Sequence, residues 1–135
     1  MKRLLSICAL ICVLCCVILS LVACSGMSVS NKMYNEISEY VTDNMDTFST
    51  TEKNKFYDYK TTGLSVGGVY YGYYYSLENE LLLPDFYLGN DLEQIQNDMY
   101  EDNGGVYFGK PNNGTDWCFV KKISDKWYYY ELHWA

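Results

Sequence analysis

The stretch 116–134, DWCFVKKISDKWYYYELHW, reads as two strand-forming segments around a short polar turn. Aromatic and β-branched residues, which favour strands, lie on both sides of Asp125 and Lys126. Centring a hairpin on those two residues places Cys118 opposite His133 and gathers most large apolar side chains on one face. A slip of one residue would divide that set between two faces, because a slip turns every side chain over. The expected apolar face carries Trp117, Phe119, Ile123, Tyr128, Tyr130, Leu132 and Trp134, with Lys121 as its one polar member.

A tyrosine-rich strand is expected at 68–76, GVYYGYYYS, which holds five tyrosines among nine residues. Because the side chains of a strand alternate between two faces, the five rings cannot form one surface. The bulkier face, expected to lie against a helix, carries Val69, Tyr71, Tyr73 and Tyr75. On the other face, Gly72 leaves room for Tyr70 and Tyr74 to cover its backbone. Tyrosine joins an apolar ring to a polar hydroxyl, so Tyr70 and Tyr74 are the predicted ligand-binding residues, with a purely structural role as the alternative.

An amphipathic helix is expected over 31–48, with Ser30 as its N-cap. Its apolar residues recur at helical spacing, and we expect them to bury against the sheet. They are Met33, Ile37, Tyr40, Val41, Met45 and Phe48. Ser49 and Glu52 then form a capping-box pattern, which predicts a second helical segment as far as about Lys60.

Shorter elements are expected between the tyrosine-rich strand and the hairpin. The apolar run 81–83 predicts a short or edge strand, because a proline follows it. Residues 90–100 place apolar side chains at helical spacing, which predicts a short helix, and 106–109 predicts a short strand. These elements predict a single α+β domain over 31–135, with an N-terminal helix packed on an antiparallel sheet of about four to five strands and a C-terminal hairpin.

The N-terminus has the organisation of an export signal: positive charge, an apolar run and a boundary of small residues. Lys2 and Arg3 precede the uncharged apolar run 4–22, which ends in LVAC at 21–24. These four residues resemble the lipobox of bacterial lipoproteins. The resemblance implies that residues 1–23 are a signal peptide cleaved before Cys24, that the Cys24 thiol carries diacylglycerol, and that the new amino terminus can be acylated too. Stable anchoring takes two or more such lipid signals.

An uncut N-terminal transmembrane anchor is the alternative, because the 19-residue apolar run is close to the roughly 20 residues that a spanning helix needs. Both interpretations leave Lys2 and Arg3 inside and the domain on the extracytoplasmic face of the cell membrane, by the positive-inside rule. Residues 24–30 are then the lipidated N-terminus and a short tether. The six residues after Cys24 reach about 20 Å at most, which holds the domain near the membrane.

The net charge limits the classes of partner that this protein can bind, and the cysteine content limits its disulfides. Without Lys2 and Arg3 the chain keeps 8 of its 10 basic side chains against 17 acidic ones. This excess argues against nucleic acid, which needs a basic footprint, and against a domain that lies flat on anionic lipid. Of the six cysteines only Cys118 follows Cys24, so an internal disulfide is excluded after cleavage and Cys118 is expected as a small buried residue.

Three groups of residues have the composition, though not the specific spacing, of a chemical site. Cys118 and His133 would face each other in the hairpin, as in a Cys–His nucleophile, but a flat sheet face offers no oxyanion hole or cleft. Oxygen ligands that could suit calcium lie together, without EF-hand spacing, at Asp98, Glu101, Asp102 and Asn103. A carboxylate pair for glycoside hydrolysis could come from Asp85, Asp91 and Glu93. The sequence therefore predicts no catalytic residue, no metal site and no cofactor.

Three hypotheses for function follow. The first is a non-catalytic, membrane-anchored lipoprotein that binds an envelope protein, peptide or glycan, held to the membrane through the lipid on Cys24. The second is a small extracytoplasmic hydrolase that uses carboxylates or the Cys118–His133 pair. The third is an immunity or exclusion lipoprotein, a hypothesis that no residue of the sequence supports directly.

Overall fold

The computed structural model describes residues 28–48, 53–63, 67–84, 95–111 and 114–134. These ranges contain the whole of one α-helix, α1 (Asn31–Asn44), and a 3-10 turn that follows it at Met45–Thr47. They also contain six strands: β1 (Lys55–Thr62), β2 (Gly68–Tyr75), β3 (Met99–Asp102), β4 (Gly105–Phe108), β5 (Trp117–Ser124) and β6 (Trp127–Trp134). The strands form one sheet in the order β1-β2-β6-β5-β4-β3, and every neighbouring pair is antiparallel. One helix thus lies on a sheet that ends in a hairpin, as in an α+β fold, but the sheet has six strands, more than predicted.

Helix α1 begins where the sequence predicts. The Ser30 hydroxyl accepts a hydrogen bond from the Met33 backbone N–H at 3.2 Å, which satisfies one of the free donors of the first turn. The α-helix ends at Asn44, before the predicted end, and the 3-10 turn takes its place. Asn44 donates its side-chain amide to the Tyr40 carbonyl at 2.8 Å, and the Thr47 hydroxyl donates to the Asn44 carbonyl at 2.7 Å. Such side-chain bonds to the backbone compete with helix continuation.

Both faces of the central strands are buried. The helix-side core contains Met33, Ile37, Val41, Tyr73, Tyr75, Tyr107, Trp117, Phe119, Trp127 and Tyr129. The far-side core contains Tyr74, Ile95, Phe108, Cys118, Val120, Tyr128, Tyr130 and Leu132. Each large apolar side chain that is fully buried contributes about 1.5–3 kcal/mol to the stability of the fold. The described residues contain one free thiol, Cys118, which cannot form a disulfide among them, so aromatic packing on both faces of the sheet stabilises the domain.

Strand β1 occupies residues for which a second helical segment was predicted, and that prediction is wrong. The side chains of β1 meet β2 on both faces: the Tyr57 ring stacks on Tyr73 at 4.9 Å, and Phe56 lies 4.7 Å from Tyr74. These cross-strand pairs outweigh the local helical signal, because aromatic pairs stabilise a sheet only when the partner strand is present. The capping-box residues lie outside the described ranges.

The segment before the hairpin also differs from its prediction. Residues 95–96 are helical, but β3 begins at Met99 inside the expected helix, and 90–94 lie outside the described ranges. The Tyr100 ring stacks on Tyr107 of β4 at 4.9 Å, which stabilises the strand. Residues 81–83 form no strand, although Leu82 and Leu83 pack against the far-side core. The short strand predicted at 106–109 is confirmed as β4.

The hairpin has its predicted turn but another register. Ser124 pairs with Trp127 around Asp125 and Lys126, as expected, but the register shifts between Lys122 and Ser124. This bulge adds one residue to β5, so Cys118 lies opposite Leu132 rather than His133. The predicted pairing of Cys118 with His133 is therefore wrong, and so is the single apolar face. Trp117 and Phe119 belong to the helix-side core, whereas the residues assigned with them from β6 lie in the far-side core: Tyr128, Tyr130 and Leu132.

The two faces of β2 are as predicted. Tyr71, Tyr73 and Tyr75 pack in the helix-side core, and Tyr70 and Tyr74 pack in the far-side core.

The ring that covers Gly72 comes from another strand than predicted. A Cβ at Gly72 would lie 2.5 Å from the Tyr130 ring of β6 and 2.3 Å from the Tyr57 carbonyl of β1. The Tyr130 hydroxyl continues across β2 and donates to Asp58 of β1 at 2.8 Å. Gly72 therefore lets one side chain connect three strands.

Candidate functional site

An open groove lies on the far side of the sheet, near the turn that joins β5 to β6. Strand β4 pairs with β5 only as far as Val120, so residues 121–124 extend beyond the β3–β4 hairpin. The resulting step and the loop 77–84 border this groove, whose volume is about 710 Å³. It is lined by Asn79, Leu81, Glu101, Asp102, Gly104, Gly105, Val106, Val120, Lys122 and Tyr128.

The apolar part of the groove comes from the sheet and the loop together. Val106 and Val120 pair across β4 and β5, and the Tyr128 ring stacks on Tyr74 at 5.1 Å. Leu81 of the loop is 42% exposed and adds an apolar side chain to the groove. The groove therefore offers a ligand an apolar surface that is already in place.

Hydrogen bonds hold the loop wall of the groove. Asn79 adopts a left-handed conformation (φ 59°), which asparagine tolerates better than most residues. The Tyr128 hydroxyl donates to the Asn79 carbonyl at 2.8 Å, and the Lys126 N–H donates to the Asn79 side-chain oxygen at 3.0 Å. The Ser76 hydroxyl accepts from the Glu80 N–H at 2.7 Å. These bonds fix the loop wall to the β5–β6 turn.

The opposite wall is the β3–β4 turn. The Asp102 carboxylate accepts from the Asn103 N–H at 2.8 Å, and Gly104 follows with φ 72°. A Cβ at Gly105 would lie 2.5 Å from the Phe119 ring, so glycine is required where this wall meets β5. The Asn103 side chain donates to the Tyr107 hydroxyl at 2.9 Å.

Charges of both signs border the groove. Glu101 and Asp102 lie on one rim, and Lys122 lies beside Tyr128, with its ammonium 5.8 Å from the centre of the Tyr128 ring. Lys122 also approaches Asp125 at 3.8 Å, but both side chains are well exposed, so this ion pair is weak. Burial, with a smaller effect from Asp125, raises the pKa of Tyr128 and keeps its hydroxyl protonated as a donor. The groove suits a ligand with an apolar body and polar groups of both signs.

A buried polar cluster lies on the helix side, away from the groove. The Glu131 carboxylate is fully buried and accepts from the Tyr129 hydroxyl at 2.8 Å and the Ser30 N–H at 2.9 Å. Its other oxygen lies 2.5 Å from a ring nitrogen of His133, and the His133 ring stacks on Trp117 at 3.6 Å. These contacts satisfy the carboxyl group in the core, as buried polar groups require. We assign this cluster a structural role.

The proposed thiol–imidazole pair is not formed. Cys118 is fully buried in the far-side core, where burial raises the pKa of its thiol well above the usual range. His133 belongs to the other face of the sheet, with Glu131 and Trp117. A thiol kept neutral and separated from the imidazole by the sheet cannot act as a Cys–His nucleophile.

The two tyrosines predicted to bind a ligand, Tyr70 and Tyr74, do not line the groove. Tyr74 is fully buried, and its hydroxyl accepts from the Leu82 N–H at 2.9 Å. Tyr70 is half-buried against the far-side core. Neither lines the groove, whereas Tyr128, which stacks on Tyr74, does. A ligand could reach Tyr70 directly but not Tyr74.

The acidic residues predicted for calcium are dispersed. Asp98 pairs with Lys110 at 3.3 Å, while Glu101 and Asp102 border the groove and Asn103 bonds within the turn. Among the described residues, no group of three or more histidine, cysteine or acidic side chains could hold a metal ion. The carboxylates considered for glycoside hydrolysis lie outside the described ranges: Asp85, Asp91 and Glu93.

Comparisons with known proteins find no relative. No protein-family model matches this chain, and neither a curated protein nor a solved structure is significantly similar to it. In the part of the chain that the structure describes, no helix is long and apolar enough to cross a membrane.

Proposed function

We propose that this protein is a membrane-anchored bacterial lipoprotein whose extracytoplasmic domain binds a ligand in the groove without catalysing a reaction on it. The groove carries the binding half of the proposal, because its two walls are held by hydrogen bonds before any ligand arrives. A preformed site loses less entropy on binding than a flexible one. The lipobox-like LVAC sequence at 21–24 carries the anchoring half, with lipid on Cys24.

Two observations favour binding over hydrolysis. Cys118 and His133 lie on opposite faces of the sheet, as described above. Among the described residues, the carboxylates that line the groove are Glu101 and Asp102, and these consecutive residues lie on one rim, so they do not face each other across a substrate bond.

The composition of the groove favours an envelope peptide or glycan fragment as the ligand. Leu81 and Tyr128 give the groove an apolar and aromatic surface. Lys122 and Glu101, which also line it, provide a positive and a negative charge. Peptides and amino-sugar glycans combine these features, and the anchored domain would meet them at the outer face of the cell membrane.

Anchoring is tested by metabolic labelling with radioactive palmitate. We expect label in the wild-type protein and none in Cys24→Ala. Label that persists in Cys24→Ala would reject lipidation at Cys24. If the protein also keeps its N-terminal residues, that result would favour the uncut transmembrane anchor.

Ligand binding is tested by titrating the detergent-solubilised lipidated protein with cell-wall muropeptides and following backbone NMR shifts. Leu81→Asp places a charge in the groove wall, and we expect it to weaken binding roughly tenfold or more, since an apolar contact of this size contributes about 1.5–3 kcal/mol. Met99→Asp is the matched control, because Met99 is 60% exposed and does not line the groove. Equal loss in both variants, or shifts confined to residues outside the groove, would reject it as the binding site.

A further inference from the structure

The chain enters the domain at the end of the sheet opposite the groove. The Ser30 N–H donates to the buried carboxylate of Glu131, close to the last residues of β6. Helix α1 then runs to the other end, where the Phe48 ring lies 5.0 Å from Trp127, the first residue of β6. We call the end with Ser30 the tether end and the end with the β5–β6 turn the turn end. The helix is antiparallel to β6, so the residues that precede it leave the domain beside the end of that strand.

An exposed tryptophan lies at the tether end. Trp134 is 48% exposed, whereas Trp117 is 1% and Trp127 5% exposed. Trp134 closes β6 opposite Gly68 and lies three residues beyond Glu131, about 10 Å farther along the strand. An indole ring has an apolar body and one N–H donor, and it favours the interface between lipid and water.

Among the residues that the structure describes, most acidic side chains lie away from this end. Seven of them lie near the turn end or the groove: Asp43, Asp46, Glu78, Glu80, Glu101, Asp102 and Asp125. At the tether end, Glu131 and Asp116 are buried, and Asp98 pairs with Lys110. A negatively charged membrane surface repels acidic side chains within a Debye length of about 8–10 Å, and salt screens its effect on those farther away. The tether end therefore meets less repulsion at such a surface than the turn end would.

We propose that the tether end rests on the lipid bilayer, with Trp134 in the interface and the groove facing away from the membrane. The proposal rests on the lipid anchor at Cys24. From Cys24 to Ser28, the first described residue, the chain reaches about 14 Å at most. A lipid on Cys24 thus keeps the tether end within contact range of the surface, and the orientation leaves the groove accessible to ligands of the envelope.

Fluorescence of the lipidated full protein in vesicles tests this orientation. The vesicles contain phosphatidylcholine with acyl chains brominated near the headgroup, and bromine quenches nearby tryptophan. We expect reconstitution to shift the emission to shorter wavelength and brominated lipid to remove the Trp134 contribution. Trp134→Phe should abolish both changes, because Trp117 and Trp127 are buried in the protein.

The matched control places a tryptophan at the turn end. Asp125, whose side chain is 80% exposed, becomes the reporter in the double variant Asp125→Trp, Trp134→Phe. We expect aqueous acrylamide to quench this tryptophan and brominated lipid to leave it unchanged. Quenching of the turn-end reporter by lipid, or of neither reporter in protein that floats with the vesicles, would overturn the orientation while leaving the anchor intact. Protein that neither floats nor carries label at Cys24 would overturn the anchor and the orientation with it.

Discussion

The carboxylate of Glu131 connects the start of the helix to the centre of the sheet. It accepts from Ser30 and Tyr129 and contacts His133. Glu131→Ala would leave the buried Tyr129 hydroxyl and the part-buried Ser30 N–H without their acceptor, and a buried group in that state costs about 1–3 kcal/mol. We therefore expect a large loss in the free energy of unfolding, measured by urea denaturation.

Glu36→Ala is the matched control for that prediction. Glu36 also accepts from a tyrosine hydroxyl, Tyr59 at 3.1 Å, but at the exposed surface. Water replaces a lost surface hydrogen bond, so we expect a loss of less than about 1 kcal/mol. Similar losses in the two variants would show that the Glu131 network does not stabilise the fold.

Cys118 is expected to be unreactive in the folded protein. Burial raises the pKa of its thiol, and only the thiolate attacks alkylating reagents. Mass spectrometry of peptides after iodoacetamide treatment at mildly alkaline pH should find Cys118 unmodified in the native protein and modified in guanidinium. Rapid native modification would contradict the structure, because it would require a thiol that solvent can reach.

The elements that the sequence predicts best are those whose signal is local. The cap at Ser30 and the apolar stripe of α1 lie within one segment, and the turn at Asp125 is set by its neighbours. The bulge in β5 could not be predicted in this way, because the alternation of side chains along a strand does not reveal one extra residue. Strand β1 was missed because its stability comes from Tyr73 and Tyr74 of another strand.

The hydrogen bond between Tyr130 and Asp58 connects β6 to β1 across β2. Its donor and acceptor are 2.8 Å apart, and the Tyr130 ring fills the space above Gly72. We expect Tyr130→Phe to destabilise the protein by about 0.5–1.5 kcal/mol. A double-mutant cycle with Asp58→Ala should give a coupling energy of at least about 0.5 kcal/mol. Additive effects within error would mean that this bond contributes nothing to the association of the three strands.

The groove could not be predicted from the sequence, because the whole molecule builds it. Asn79, Asp102, Lys122 and Tyr128 come from four separate segments and meet only when β4 ends short of β5. The glycine pair at 104–105 was the one local signal, and it indicates a turn rather than a site. Tyr70 and Tyr74 lie on the same face of the sheet as the groove, but alternation cannot show that the loop 77–84 covers Tyr74.

The buried tyrosines should make the whole domain unfold at alkaline pH. Burial raises the pKa of Tyr73, Tyr74 and Tyr129 well above the ordinary value of 10.0. Above about pH 10 the unfolded chain releases protons that the folded chain retains, so the free energy of unfolding falls as pH rises, by roughly 1.4 kcal/mol per pH unit for each such tyrosine. Tyrosinate absorbance and circular dichroism should therefore change together in one transition, and Tyr73→Phe should reduce the slope by one proton. Smooth ionisation of all tyrosines before any loss of structure would show that these rings are not shielded from water.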